Sequence, residues 1–157
     1  MITAPAHPKA PQPRSAHAAA KAAQRHWQAG RERVLKKDWA GAALAFARAT
    51  QAAPADGLFW VNLANAERNA GALERAETAA RRALALEPDE PLALQVLGES
   101  LGKMHRYAES LEAFARLEAS GTLERAALVQ QASMLQALQR PREAMDVLLR
   151  ALARSRT

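Results

Sequence analysis

The chain contains no cysteine, which excludes disulfides, thiolate metal sites and a cysteine nucleophile. Aromatic residues are scarce: 4% of 157 residues, made up of three Trp, one Tyr and three Phe. With little β-branched content as well, a β-sheet would lack the residues that pack its pleated faces. The 49% hydrophobic share is carried by Ala and Leu, both strong helix formers, so an all-α protein is expected. No apolar run is long enough for a signal-peptide core or a membrane span. A soluble, cytoplasmic chain with no membrane partner follows as the expectation. The four histidines, His7, His17, His26 and His105, fall into no ligand spacing such as H-E-x-x-H. Neither a glycine-rich phosphate loop nor a nucleophile elbow is present. No catalytic residue, metal or cofactor is therefore expected, and the chain is read as a non-enzyme.

The net charge is +6, but it is unevenly spread. Residues 1–22, 23–56 and 125–157 carry +3, +3 and +4, whereas 57–90 and 91–124 carry −2 each. A phosphate-tracking surface needs a continuous basic face with aromatics to stack bases; the acidic middle interrupts it, so nucleic acid is not expected as a partner. Most carboxylates stand among arginines at helical spacing, as in Glu77 with Arg81, which reads as a solvated helix face. Pro5, Pro8, Pro11 and Pro13 crowd the first residues. The stretch 1–15 is read as a disordered Pro-rich tail, with an extended docking arm as the alternative, and 16–157 as one domain.

Within that domain, like residues recur every 34 positions. Gly30, Ala64, Gly98 and Ala132 form one column of small residues; Ala42, Ala76, Ser110 and Ala144 form another; Ala49, Ala83, Leu117 and Ala151 a third. A bulkier column holds Phe46, Ala80, Phe114 and Leu148, and Pro54 and Pro88 lie one period apart. Each period carries two apolar helical stripes separated by a turn. The expected helices run over about 16–37, 39–53, 58–70, 73–86, 91–104, 107–119, 123–138 and 141–154. Pro91 and Pro141 suit first helical turns. A two-helix hairpin cannot bury its stripe alone, so neighbours must stack, and small residues let axes approach at crossings. Leu63, Leu97, Leu101, Phe114, Leu135 and Leu148 are the expected core, and Gly98 should resist enlargement.

These columns resemble the tetratricopeptide repeat, with its aromatic, Leu-Gly, Ala, Phe and Pro at fixed offsets. The second period gives Trp60, Leu63, Ala64, Ala76, Ala83 and Pro88; the third gives Leu94, Leu97, Gly98, Leu101, Tyr107 and Phe114. In the first, Gly30, Trp39, Ala42, Phe46, Ala49 and Pro54 fit, while His26, Ala29 and Arg33 occupy apolar slots; the fourth period is looser. The resemblance covers about 23–157, as four repeats at 23–56, 57–90, 91–124 and 125–157. It implies a right-handed superhelical solenoid whose inner wall is made by the first helix of each hairpin.

The same resemblance places Arg31, Asn65, Glu99 and Ser133 on the inner groove. Trp27, Val61, Gln95 and Val129 flank them on one side, Leu35, Asn69, Lys103 and Ala137 on the other. Asn62 and Arg68 border the groove. The groove candidates are thus Trp27, Arg31, Asn62, Asn65, Arg68, Asn69, Gln95, Glu99 and Lys103. Amide side chains suit a peptide because each can donate to a carbonyl and accept from an N–H. Asn62-Leu63-Ala64-Asn65 is similar to the asparagine-bearing helices of glycosyltransferase repeat arms. The family's carboxylate clamp is not matched, since its cationic slots hold Trp27, Leu92 and Val96, although Asn62 falls on its amide slot. Arg31, Arg68 and Lys103 facing Glu99 suggest a mildly acidic ligand.

What the resemblance implies is a non-catalytic interaction module or adaptor binding a peptide or helix of a partner protein. The alternative is the amino-terminal recognition arm of a larger bacterial-type enzyme, a glycosyl- or sulfotransferase or a hydroxylase. Repeat arrays usually finish with a polar capping helix, whereas the last hairpin offers Met145, Leu148, Leu149 and Leu152. Three readings follow for that end: self-association, cover by a downstream domain, or a fourth hairpin that serves as its own cap.

Overall fold

A computed structural model describes residues 13–122 and 124–154; of the tail expected over 1–15, residues 1–12 lie outside them, as does Leu123. The described residues form eight helices: α1 (Pro13–Leu35), α2 (Trp39–Ala52), α3 (Gly57–Asn69), α4 (Leu73–Leu86), α5 (Pro91–Lys103), α6 (Tyr107–Ala119), α7 (Arg125–Ala137) and α8 (Pro141–Ala153). They pair as four antiparallel hairpins stacked into an all-α solenoid, with the first helices along one face, termed inner after the family expectation, and the second helices along the other, termed outer. The 34-residue period is kept: α3, α5 and α7 begin at 57, 91 and 125. Two boundaries differ from expectation. α1 opens at Pro13 rather than about Ala16, because a proline is tolerated in a first turn and an Ala-rich run follows it. α7 opens at Arg125 rather than 123, after a turn through Gly121 at φ +77°.

Capping follows from sequence. Asp38 accepts from the Gly41 N–H at 2.9 Å and Asp56 from the Leu58 N–H at 3.0 Å. The Glu90 carboxylate accepts from the Ala93 N–H, and Pro91 fills the next slot, where a missing N–H costs nothing. At the other end of each first helix the chain turns back identically four times. The N–H groups of Asp38, Ala72, Arg106 and Arg140 each reach the carbonyl five residues earlier, on Arg33, Glu67, Leu101 and Leu135, at 2.9 Å. The residue before each donor is left-handed: Lys37 at φ +57°, Gly71 at +82°, His105 at +62° and Gln139 at +58°. This is the Schellman termination, and only the second hairpin gives it glycine.

The core is continuous from α2 to α8, with a satellite of Ala23, Ala49 and Phe59 beside Trp27. Leu63, Leu97, Leu101, Phe114 and Leu135 are buried, as the period predicts. Leu148 is only half-buried, because no further helix among the described residues packs on α8. The crossings within hairpins show volume compensation. A Cβ on Gly30 would overlap the Phe46 ring, and one on Gly98 would stand 3.0 Å from the Phe114 ring. In the second hairpin the same two slots hold Ala64 and Ala80, both fully buried. In the first and third hairpins, where the first helix gives up its side chain, the second helix supplies a phenyl ring; in the second hairpin, where it keeps a methyl, the second helix keeps one too.

Candidate functional site

The inner face is lined by α1, α3, α5 and α7, and their sequence-predicted residues fall into three groups. On α1, the Arg31 guanidinium lies 4.8 Å from the Trp27 ring centroid, a cation–π contact. That ring packs in turn against Phe59 at 6.4 Å between centroids. On α3 and α5, a polar chain joins two repeats. Arg68 donates to Asn65 Oδ1 at 2.7 Å and forms an ion pair with Glu99 Oε2, while Gln95 donates to the other Glu99 oxygen at 2.9 Å. Arg68 and Glu99 side chains are 15% and 19% exposed, so the pair sits in a partly dry setting where it is screened less than a surface pair. Asn69 donates to the Asn65 backbone carbonyl at 2.7 Å. Asn62 donates to the Leu58 carbonyl at 2.7 Å, which leaves its oxygen as an acceptor.

The third group borders a cavity of about 330 Å³ between α5 and α7, lined by Glu99, Lys103, Tyr107, Val129, Ser133 and Met134 among others. Gly102 contributes bare backbone, and the Met134 methyl occupies the space its side chain would need. Tyr107 is held at its hydroxyl by His105 Nδ1, 2.7 Å away. Lys103 is exposed and makes no ion pair among the described residues, in contrast to Arg68. The sequence-based reading of three cations facing Glu99 is thereby narrowed: Glu99 is satisfied by Arg68 and Gln95, and Arg31 covers Trp27. Val61, expected to flank the groove, is 5% exposed and belongs to the core. Tyr107, Gly102, Met134 and Gln130 were not anticipated as lining. Tyr107 and Met134 look like packing residues in the period, and a cavity between two stacked hairpins has no linear signature.

The outer face carries the electrostatics of the fold. Arg106 donates to Glu109 at 2.8 and 2.6 Å and to Glu77 at 2.6 Å, and Arg81 reaches Glu109 at 3.3 Å. These bonds, first to Glu109 and then to Glu77, push the Arg106 guanidinium further up. The same Arg106 bond holds Glu109 below the usual carboxylate range. On α8, Met145, Leu149 and Leu152 are 59%, 56% and 62% exposed. Among the described residues no group of three His, Asp or Glu could hold a metal ion, and no helix is long and apolar enough to cross a membrane.

Eight helices in stacked antiparallel hairpins, with small residues at each crossing and polar residues along one wall, define a helical-repeat solenoid. The family profile of the tetratricopeptide repeat matches residues 59–100, and the fold of the described residues is that of solved tetratricopeptide-repeat structures. The chain is similar in structure to YrrB, described as a TPR protein with an unusual peptide-binding site. There the TM-score is 0.77 at 20% identity, covering 84% of this chain and 68% of that one. The first TPR of Spaghetti (RPAP3), solved bound to an HSP90 peptide, gives 0.72 at 18% identity over 76% of this chain and 95% of that one. The Sgt2 TPR domain from Aspergillus fumigatus gives 0.67 at 23% identity over 85% of each. No curated protein sequence matches the chain.

Proposed function

We propose that the chain is a non-catalytic interaction module whose inner groove binds an extended peptide segment of a partner protein. One observation carries the reading: the 330 Å³ inner cavity between α5 and α7, walled by apolar Val129 and Met134, has unpaired Lys103 on its lining. Its size suits one or two side chains, at the small end of ligand pockets. Because Glu99 is already neutralised, the net field offered to a ligand there is positive. The preferred segment therefore combines an apolar anchor with an acidic group. The bonded row Asn65, Arg68, Gln95 and Glu99 is preorganised, so ligand binding loses less side-chain entropy there. Asn62 and Asn69 donate through their amide nitrogens to backbone carbonyls, which leaves their oxygens as acceptors suited to a ligand's backbone N–H groups. Similarity to solved repeats described with peptides supports the same reading.

The test is affinity capture from native lysate with the wild-type chain, a Lys103→Glu variant and an Asn62→Ala, Asn69→Ala double variant, each verified as folded. The expected result is a protein retained by wild type and lost on Lys103→Glu, with weaker retention by the double variant. Equal capture by all three would remove the groove assignment.

A further inference from the structure

The outer face holds a second cleft, about 300 Å³, between α6 and α8 with α7 as its floor. The molecule supplies its own comparison one repeat earlier, where the equivalent space between α4 and α6 is about 110 Å³. Three changes at equivalent places account for the difference. Glu77 and Arg81, which bridge α4 to Arg106 and Glu109 on α6, are replaced in the next repeat by Leu111 and Ala115. Among the described residues Arg140 therefore pairs only with its own neighbour Glu143, at 2.7 and 2.6 Å. Finally, Leu97 on the floor is replaced by Gln131. Gln131 is 4% exposed, lines the cleft, and its amide has no hydrogen-bond partner among the described residues. Its polar atoms are open to the cleft rather than sealed in the core, and an apolar residue serves at this slot one repeat earlier, so packing does not call for the amide and a ligand can use it.

We propose that this outer cleft is a second binding site, distinct from the inner groove, for a peptide segment of a partner protein carrying a lysine or arginine. A side-chain amide can donate and accept together, which matches one backbone peptide group, while Leu111, Leu135 and Val147 shelter an adjoining apolar side chain. The charges on the rim decide the sign. Arg140 is neutralised by Glu143, and Arg150 by Glu118. Asp146, also on the lining, makes no ion pair among the described residues, so a cation on the ligand is favoured.

The experiment selects a displayed library of random peptides on the wild-type chain, with Gln131→Leu as the counter-selection. That variant installs the residue the preceding repeat already uses, and its melting temperature should equal or exceed wild type. Selected peptides should carry Lys or Arg and, once synthesised, should bind Gln131→Leu and Asp146→Lys at least about tenfold more weakly. They should bind Lys103→Glu as tightly as wild type, which separates this cleft from the inner groove. Peptides that bind Gln131→Leu as well as wild type, that are acidic, or that are lost on Lys103→Glu would overturn the proposal. So would a selection that enriches nothing over the counter-selected variant.

Discussion

At the scale of single residues, the crossings make a graded prediction. A methyl on Gly30 runs into the ring of Phe46, which is 1% exposed and has nowhere to go. A methyl on Gly98 meets the Phe114 ring at 3.0 Å, a lesser crowding. On Gly102 its closest contact is the far end of the flexible Met134 side chain, with Ser110 Oγ beyond it at 3.3 Å, and methionine repacks easily. Urea denaturation should therefore rank the losses Gly30→Ala above Gly98→Ala above Gly102→Ala, the first about 1–3 kcal/mol and the last under about 1 kcal/mol. Phe114→Ala, which empties a fully buried site, should cost about 3–5 kcal/mol. A Gly102→Ala loss larger than that of Gly30→Ala would contradict the packing described. The small-residue columns were legible in the sequence because they repeat. Their pairing with rings was not, since it depends on which side chain of the returning helix faces the gap.

At the scale of elements, the four identical hairpin turns separate what sequence can signal from what it hides. Gly71 marked a turn at once, but Lys37, His105 and Gln139 adopt the same left-handed conformation with no glycine to announce it. Left-handed backbone costs an L-residue about 1–2 kcal/mol, partly offset by glycine's greater freedom when unfolded. Lys37→Gly and Gln139→Gly should each stabilise the fold by up to about 1 kcal/mol, and Gly71→Ala should destabilise it by a similar amount, read from thermal melts. Helix caps add a pH dependence. The Gly41 N–H first and Arg33 second depress Asp38 below its ordinary 3.8, while Arg106 and Arg140 depress Glu109 and Glu143 below 4.5. Such groups contribute stability that is present above their unfolded values and lost as pH falls through the lower folded values. Melting temperature should thus decline below about pH 4, less steeply for Asp38→Asn, and added salt should flatten the decline.

At the scale of the whole molecule, the hairpins are not joined equally. The first three are tied by packing between α2 and α3 and between α4 and α5, and by the Glu77–Arg106 and Arg81–Glu109 bridges. Between the third and fourth, clefts of about 330 and 300 Å³ open on the inner and outer faces, and among the described residues one bridge, Glu118–Arg150, remains. Stability in a repeat array sums over units and interfaces, so amides of α7 and α8 should exchange hydrogen faster than those of α3 to α5. Equal protection throughout would show that the last joint is as strong as the others. Sequence periodicity revealed the solenoid because each slot recurs four times. It could not reveal the loosened joint, whose causes are single departures from the period at Leu111, Ala115 and Gln131.

That joint also has a mechanical meaning. Pulled between its ends, a stack of hairpins yields where the fewest side chains must part at once. In an optical-trap experiment the fourth hairpin should peel away at a lower force than the rest, lengthening the tether in a separate early step. Strengthening the joint with Gln131→Leu should merge that step with the main rupture.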